Sequence, residues 1–169
     1  LFVCQTELCT ITQGVELSAS FSRPERLYYA AICIAIAGVI DFLDGFLARL
    51  LRATGDLGKQ LDSLSDVVSF GVAPAVILFQ FLRMSYMQQE NGLDINIAWL
   101  LPAFVFACAG AYRLARFNID TTQNFGFTGV PITAAGLVVA SLPLIAFYTY
   151  YDGAVNSIIF NRWFLYILI

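Results

Sequence analysis

Residues 27–66 read LYYAAICIAIAGVIDFLDGFLARLLRATGDLGKQLDSLSD. Leu27–Leu51 is long and apolar enough to cross a bilayer, which takes about 20 residues. Yet Asp41 and Asp44 lie inside this run, and Asp62 and Asp66 lie beside the next one. Carboxylates so placed are costly unless a partner offsets them. A bound cation is the partner that hard oxygen ligands suit best. The stretch therefore predicts a helical membrane protein with a metal-dependent site near the membrane surface.

The rest of the chain agrees with a membrane setting. Of 169 residues, 59% are hydrophobic and only 12% charged, against roughly 25% charged in a soluble domain. Mean hydropathy is +0.75. Further apolar segments are Val67–Leu82 with its flanks, Ile97–Phe117 and Val130–Tyr151, with Ile158–Ile169 as a partial fifth. Each must satisfy its own backbone hydrogen bonds in lipid, so helices are predicted. The period-2 alternation of barrel strands is missing. The expected fold is an all-α multi-span bundle with about four complete spans. A net charge of -3 gives no reason to expect nucleic acid.

A single membrane domain over residues 1–169 is expected, truncated at both ends, because the chain lacks an initial Met and stops inside an apolar run. Leu1–Phe21 is interrupted by Glu7 and Glu16 and does not read as a signal peptide. Cys33 and Cys108 read as packing residues, and Cys4 and Cys9 have no spacing that assigns a metal or a disulfide.

Connections are predicted at Arg52–Gln60, Met84–Asn96, Asn118–Gly129 and Asp152–Ser157. Parity then puts the aspartate region, Arg113–Asn118 and Phe127–Pro131 on one side. Five basic residues fall on that side and four on the other, a slight lean toward cytoplasmic aspartates.

Asp41 and Asp44 are spaced i, i+3, and Asp62 and Asp66 i, i+4, so each pair shares a helix face. Gly45 and Ala48 continue the first face with almost no side chain, which lets a ligand or helix approach the backbone. Gly58 is expected to break the chain just before the second helix. Four facing carboxylates need cations, and oxygen-only ligation favours Mg or Mn, with Ca also suitable. The chain has no histidine, so a general base must be a carboxylate, lysine or tyrosine.

Asp41, Asp44, Gly45, Ala48, Arg49, Gly58, Asp62 and Asp66 fill every position of D-x2-D-G-x2-A-R-x8-G-x3-D-x3-D, the signature of the CDP-alcohol phosphatidyltransferase family, which this chain resembles. The resemblance covers about residues 30–144. It implies that Asp41, Asp44 and Asp62 ligate metal. Asp66 would serve as general base and share the second metal. Gly45, Ala48, Arg49 and Gly58 would line the CDP and phosphate site. Arg113-Leu114-Ala115-Arg116-Phe117-Asn118 and Phe127-Thr128-Gly129-Val130-Pro131 resemble segments of the members that use L-serine. Arg113, Arg116 and Asn118 are thus candidates for binding the acceptor or a phosphate. Arginine suits either anion as a bidentate donor.

The resemblance implies transfer of a phosphatidyl group from CDP-diacylglycerol to L-serine, releasing CMP, in phospholipid biosynthesis. It also implies a multi-pass protein of a bacterial or archaeal cell membrane, and a homodimer. Members usually carry an earlier helix that frames the nucleotide, and Leu1–Phe21 shows no clear counterpart. Two alternatives stay open. One is the same chemistry with glycerol 3-phosphate or inositol phosphate as acceptor. The other is a divalent-cation transporter.

Overall fold

A computed structural model describes residues 27–51, 55–87, 96–119, 130–149 and 153–169. These form α1 (Leu27–Leu50), α2 (Asp56–Asp66), a π segment (Val67–Val72) and α3 (Ala73–Met87). A 3-10 turn (Ile97–Trp99), α4 (Ala103–Ile119), α5 (Ile132–Tyr148), α6 (Gly153–Ile159) and α7 (Arg162–Leu168) follow. No strand occurs among the described residues. The expectations for Leu1–Phe21, Cys4, Cys9 and Phe127–Gly129 lie outside the described residues, as does the side chain of Arg49.

Two helical stretches, Leu27–Ala48 and Gln60–Met87, are long and apolar enough to cross a membrane. Ile132–Tyr148 is apolar but shorter. Ile36, Val39, Ile40, Phe42 and Phe46 of α1 are all exposed. An apolar surface around an apolar core is what a bilayer covers and water does not.

Several predicted boundaries move. The expected Arg52–Gln60 connection is shorter, because α2 starts at Asp56 after Gly55 in extended conformation. Gly58 therefore lies in the first turn of α2 and does not precede the helix. One glycine within a helix costs only about 1 kcal/mol. The expected Ile97–Phe117 span is a 3-10 turn followed by α4, with Pro102 just before the helix. Proline has no N–H to continue an upstream helix, but is tolerated at a helix start. The expected Asp152–Ser157 connection is mostly α6. The expected Ile158–Ile169 span breaks at Phe160–Asn161, where the Asn161 side chain accepts from the Trp163 N–H and starts α7.

The helix runs without interruption from Asp56 to Met87, but its register changes in the middle. The N–H of Ala73 bonds to the carbonyl of Val68, five residues back. Pro74 explains the change. It has no N–H to give the Phe70 carbonyl four residues earlier, and its ring crowds that carbonyl. A π turn relieves both problems, and such turns often stand at functional sites.

Ile77, Leu78, Phe81 and Leu82 of α3 are fully buried and form the centre of the core. α3 packs against α4, α5 and α7, and α1 packs against α5. Phe81 stacks on Phe160 at 5.3 Å between ring centroids. Small residues allow the close approaches. A Cβ added at Gly136 would fall 2.5 Å from the Phe70 carbonyl oxygen, and one at Gly110 would fall 2.6 Å from Ile132 Cδ1. The Phe70 ring, 1% exposed, also lies against Gly38 of α1. These contacts fasten the π segment to α1 and α5 just beyond Asp66.

Candidate active site

α1 and α2 bring the predicted carboxylates together. Oxygens of Asp41, Asp44 and Asp62 all lie within 4.8 Å of one another. Asp41 is half-buried, whereas Asp44 and Asp62 are exposed. Asp66 ends α2 one turn after Asp62 and lies within hydrogen-bonding reach of Asp41. Its Oδ1 is shielded from solvent and has no hydrogen-bond partner. The exposed stripe of Leu57, Leu61 and Leu64 falls on the other side of α2, as the 100° step per residue requires.

Two ionised carboxylates at about 4–5 Å repel by on the order of 3 kcal/mol near a protein surface. An arrangement of four needs positive charge or protons to hold it. The residues fit a hard cation on two counts. Oxygens on opposite sides of Mg stand about 4.2 Å apart, and those across Ca about 4.8 Å, from the usual bond lengths. The three-carboxylate group, with all separations within 4.8 Å, is compact enough for such an ion. The shielded, unpartnered Asp66 Oδ1 is the kind of atom a cation or substrate proton would satisfy.

The small residues predicted to line the site face open space. A Cβ at Gly45 or Gly58 would meet nothing within 4 Å. Gly45 and Ala48 follow Asp41 and Asp44 at i+4 and so share their face. On the other side of Asp41 along α1 lies a cleft of about 300 Å³, lined by Tyr29, Cys33, Ile34 and Ala37 of α1 and by Val68 and Ser69 of the π segment. Ala37 is one turn before Asp41, and Ser69 is three residues after Asp66. The cleft thus begins about one turn from the carboxylates along both helices.

Arg113 is half-buried and Arg116 exposed near the end of α4. Asn118 reaches the carboxylate helix, where its Nδ2 donates to Ser63 Oγ at 3.0 Å. Ser63 is adjacent to Asp62, and reading the sequence did not single it out. The bond spans 55 positions, so no local spacing reveals it. Pro74 was also passed over, although a proline inside a continuous apolar helix is a visible signal of a change in register.

The family model for CDP-alcohol phosphatidyltransferase matches residues 6–168. The chain is 43% identical to CDP-diacylglycerol–serine O-phosphatidyltransferase of Methanocaldococcus jannaschii over 105 residues, 62% of this chain and 45% of the relative. It is 35% identical to archaetidylserine synthase of Methanothermobacter thermautotrophicus over 143 residues, 82% of this chain and 56% of the relative. It is 31% identical to CDP-diacylglycerol–serine O-phosphatidyltransferase of Bacillus subtilis over 138 residues, 79% of this chain and 73% of the relative. The chain thus spans about half the length of the first two. No solved structure matches it. With its signature aspartates converging from two helices and the family match running almost end to end, the chain belongs to the CDP-alcohol phosphatidyltransferase family.

Proposed function

We propose that this protein transfers a phosphatidyl group from CDP-diacylglycerol to the hydroxyl of L-serine, releasing CMP. The observation that carries the reading is the meeting of Asp41, Asp44 and Asp62 within 4.8 Å, with the shielded Asp66 oxygen behind them. The relatives named for serine transfer support the acceptor.

In the reaction the serine oxygen bonds to the phosphatidyl phosphorus and the bond from phosphorus to the CMP oxygen breaks. Asp66 takes the hydroxyl proton. A half-buried carboxylate with one oxygen shielded from water and without a hydrogen-bond partner is suited to that task. Asp41, Asp44 and Asp62, with Asp66 shared, would hold one or two Mg or Mn ions. Such ions supply charge neutralisation at the pyrophosphate and the leaving CMP. The open faces at Gly45 and Gly58 leave room for the nucleotide beside the carboxylates. Arg49 fills the signature position that, by resemblance, would lie beside the pyrophosphate. Arg113 and Arg116 would meet the serine carboxylate or a phosphate.

The largely apolar cleft beside α1 suits an acyl chain that stays at the level of lipid. The protein would work as a multi-pass homodimer in a cell membrane, with the carboxylates at the cytoplasmic face. A second reading keeps the reaction and changes the donor to its archaetidyl counterpart, which the synthase of Methanothermobacter thermautotrophicus favours by its name.

The test is CMP release by the full-length protein with Mg or Mn, presenting both donors with serine, glycerol 3-phosphate and inositol phosphate in turn. Serine-dependent release supports the reading. Release only with another alcohol overturns the acceptor. Metal flux into proteoliposomes without CMP release would show a transporter and overturn the chemistry.

A further inference from the structure

We propose that Asn118 is a positioning residue that acts through Ser63, and that it does not bind the acceptor itself. This rests on the transfer reaction proposed above.

The argument starts from the bond that joins two distant helices. Asn118 Nδ2 donates to Ser63 Oγ at 3.0 Å, from the last turn of α4 to the middle of α2. Ser63 follows Asp62 directly and precedes Asp66 by three residues, so it sits on the turn that carries both carboxylates. Arg113 and Arg116 lie on the last turns of α4. The helices that carry the negative and the cationic groups are therefore joined by a hydrogen bond between side chains placed next to both sets.

Elsewhere α4 packs along α3 and against the π segment, where Gly71 lies against Ala107. That contact is about three turns back along α4 from Asn118. α4 packs against α5 as well, and the Asn118–Ser63 bond adds an attachment at the end that carries the arginines. Though exposed, the bond favours one separation of the carboxylates from the arginines. An Asn118 amide committed to Ser63 has one fewer donor for serine.

The test is a double-mutant cycle with Asn118→Ala, Ser63→Ala and the pair, with Ser63→Thr as the conservative variant. Each alanine variant is expected to lower kcat about tenfold, the worth of one hydrogen bond, with the serine KM unchanged. The double variant should lose no more than either single variant, and Ser63→Thr should retain activity because it keeps the hydroxyl. A rise in serine KM with Asn118→Ala alone would mean that Asn118 touches the acceptor, and would overturn the proposal. So would additive losses in the double variant. The same cycle run on the thermal midpoint in detergent reads the bond without turnover. If the wild-type protein releases no CMP with any alcohol, the proposed reaction fails. Additive midpoint losses would then overturn the Ser63–Asn118 link, and non-additive ones would uphold it.

Discussion

A Cβ built on Gly136 of α5 would lie 2.5 Å from the carbonyl oxygen of Phe70 and 2.9 Å from its Cα. Backbone stands against backbone there, so neither side can yield by a change of rotamer. The contact fixes the π segment that follows Asp66. It depends on Pro74 disturbing the helix and on glycine leaving room for the displaced carbonyl.

Gly136→Ala should therefore destabilise the protein despite alanine's better helix propensity. Overpacking typically costs about 1–3 kcal/mol, more than the roughly 1 kcal/mol gained in propensity. The thermal midpoint in detergent should fall by several degrees. An unchanged midpoint would show that the helices can separate at little cost.

Gly45→Ala should behave in the opposite way. Its added methyl meets nothing within 4 Å, so the midpoint should hold or rise. The methyl would stand beside Asp41 and Asp44, in the space assigned to the donor. The KM for CDP-diacylglycerol should rise at least about tenfold, the equivalent of roughly 1.4 kcal/mol. A wild-type KM would remove Gly45 from the donor site.

Asp66→Asn keeps the shape of the side chain and removes the base. General-base contributions run to about 10²–10⁴-fold. Turnover should fall by that range while CDP-diacylglycerol binding, measured by equilibrium dialysis of labelled donor, stays close to wild type. Near-normal turnover would mean that another group takes the serine proton.

Chelation should abolish CMP release, and Mg or Mn should restore it. A second readout needs no turnover. A cation that binds only the folded protein adds about 2.7 kcal/mol at a hundred times its dissociation constant, so Mn should raise the thermal midpoint. Asp44→Asn, which removes one member of the three-carboxylate group, should weaken that rise. A midpoint indifferent to Mn would argue against a cation at these residues.

Tyr166→Phe probes the far end of α3. The Tyr166 hydroxyl donates to the Trp99 carbonyl at 2.8 Å and receives the Tyr86 hydroxyl at 2.8 Å. Losing both bonds should cost about 1–3 kcal/mol and lower the midpoint. The serine KM should not change, because these groups hold α7 to α3 and lie outside the carboxylate site. An altered serine KM would link the two ends of the protein.

Much of this was legible in order along the chain. Apolar runs interrupted by few charges require helices, because lipid offers the backbone no hydrogen bonds. The i, i+3 and i, i+4 spacings put Asp41 with Asp44 and Asp62 with Asp66, because a helix repeats every 3.6 residues. Helix boundaries were less legible. At Pro102 and Asn161 a single residue ended or began an element inside an apolar run that otherwise reads as continuous. Gly58 reads locally as a break, yet the helix-forming residues after it carry it into the first turn of α2.

The residue types of the site and their helix faces follow from short-range periodicity, and the family resemblance follows from the fixed spacing of the signature from Asp41 to Asp66. Tertiary structure decided what depends on distant residues meeting. It set Asp66 apart, with a shielded oxygen and Asp41 in reach. It seated Gly136 on Phe70 and gave Asn118 to Ser63. Contacts across 66 and 55 positions arise from how helices pack, and packing depends on the shape of every face at once.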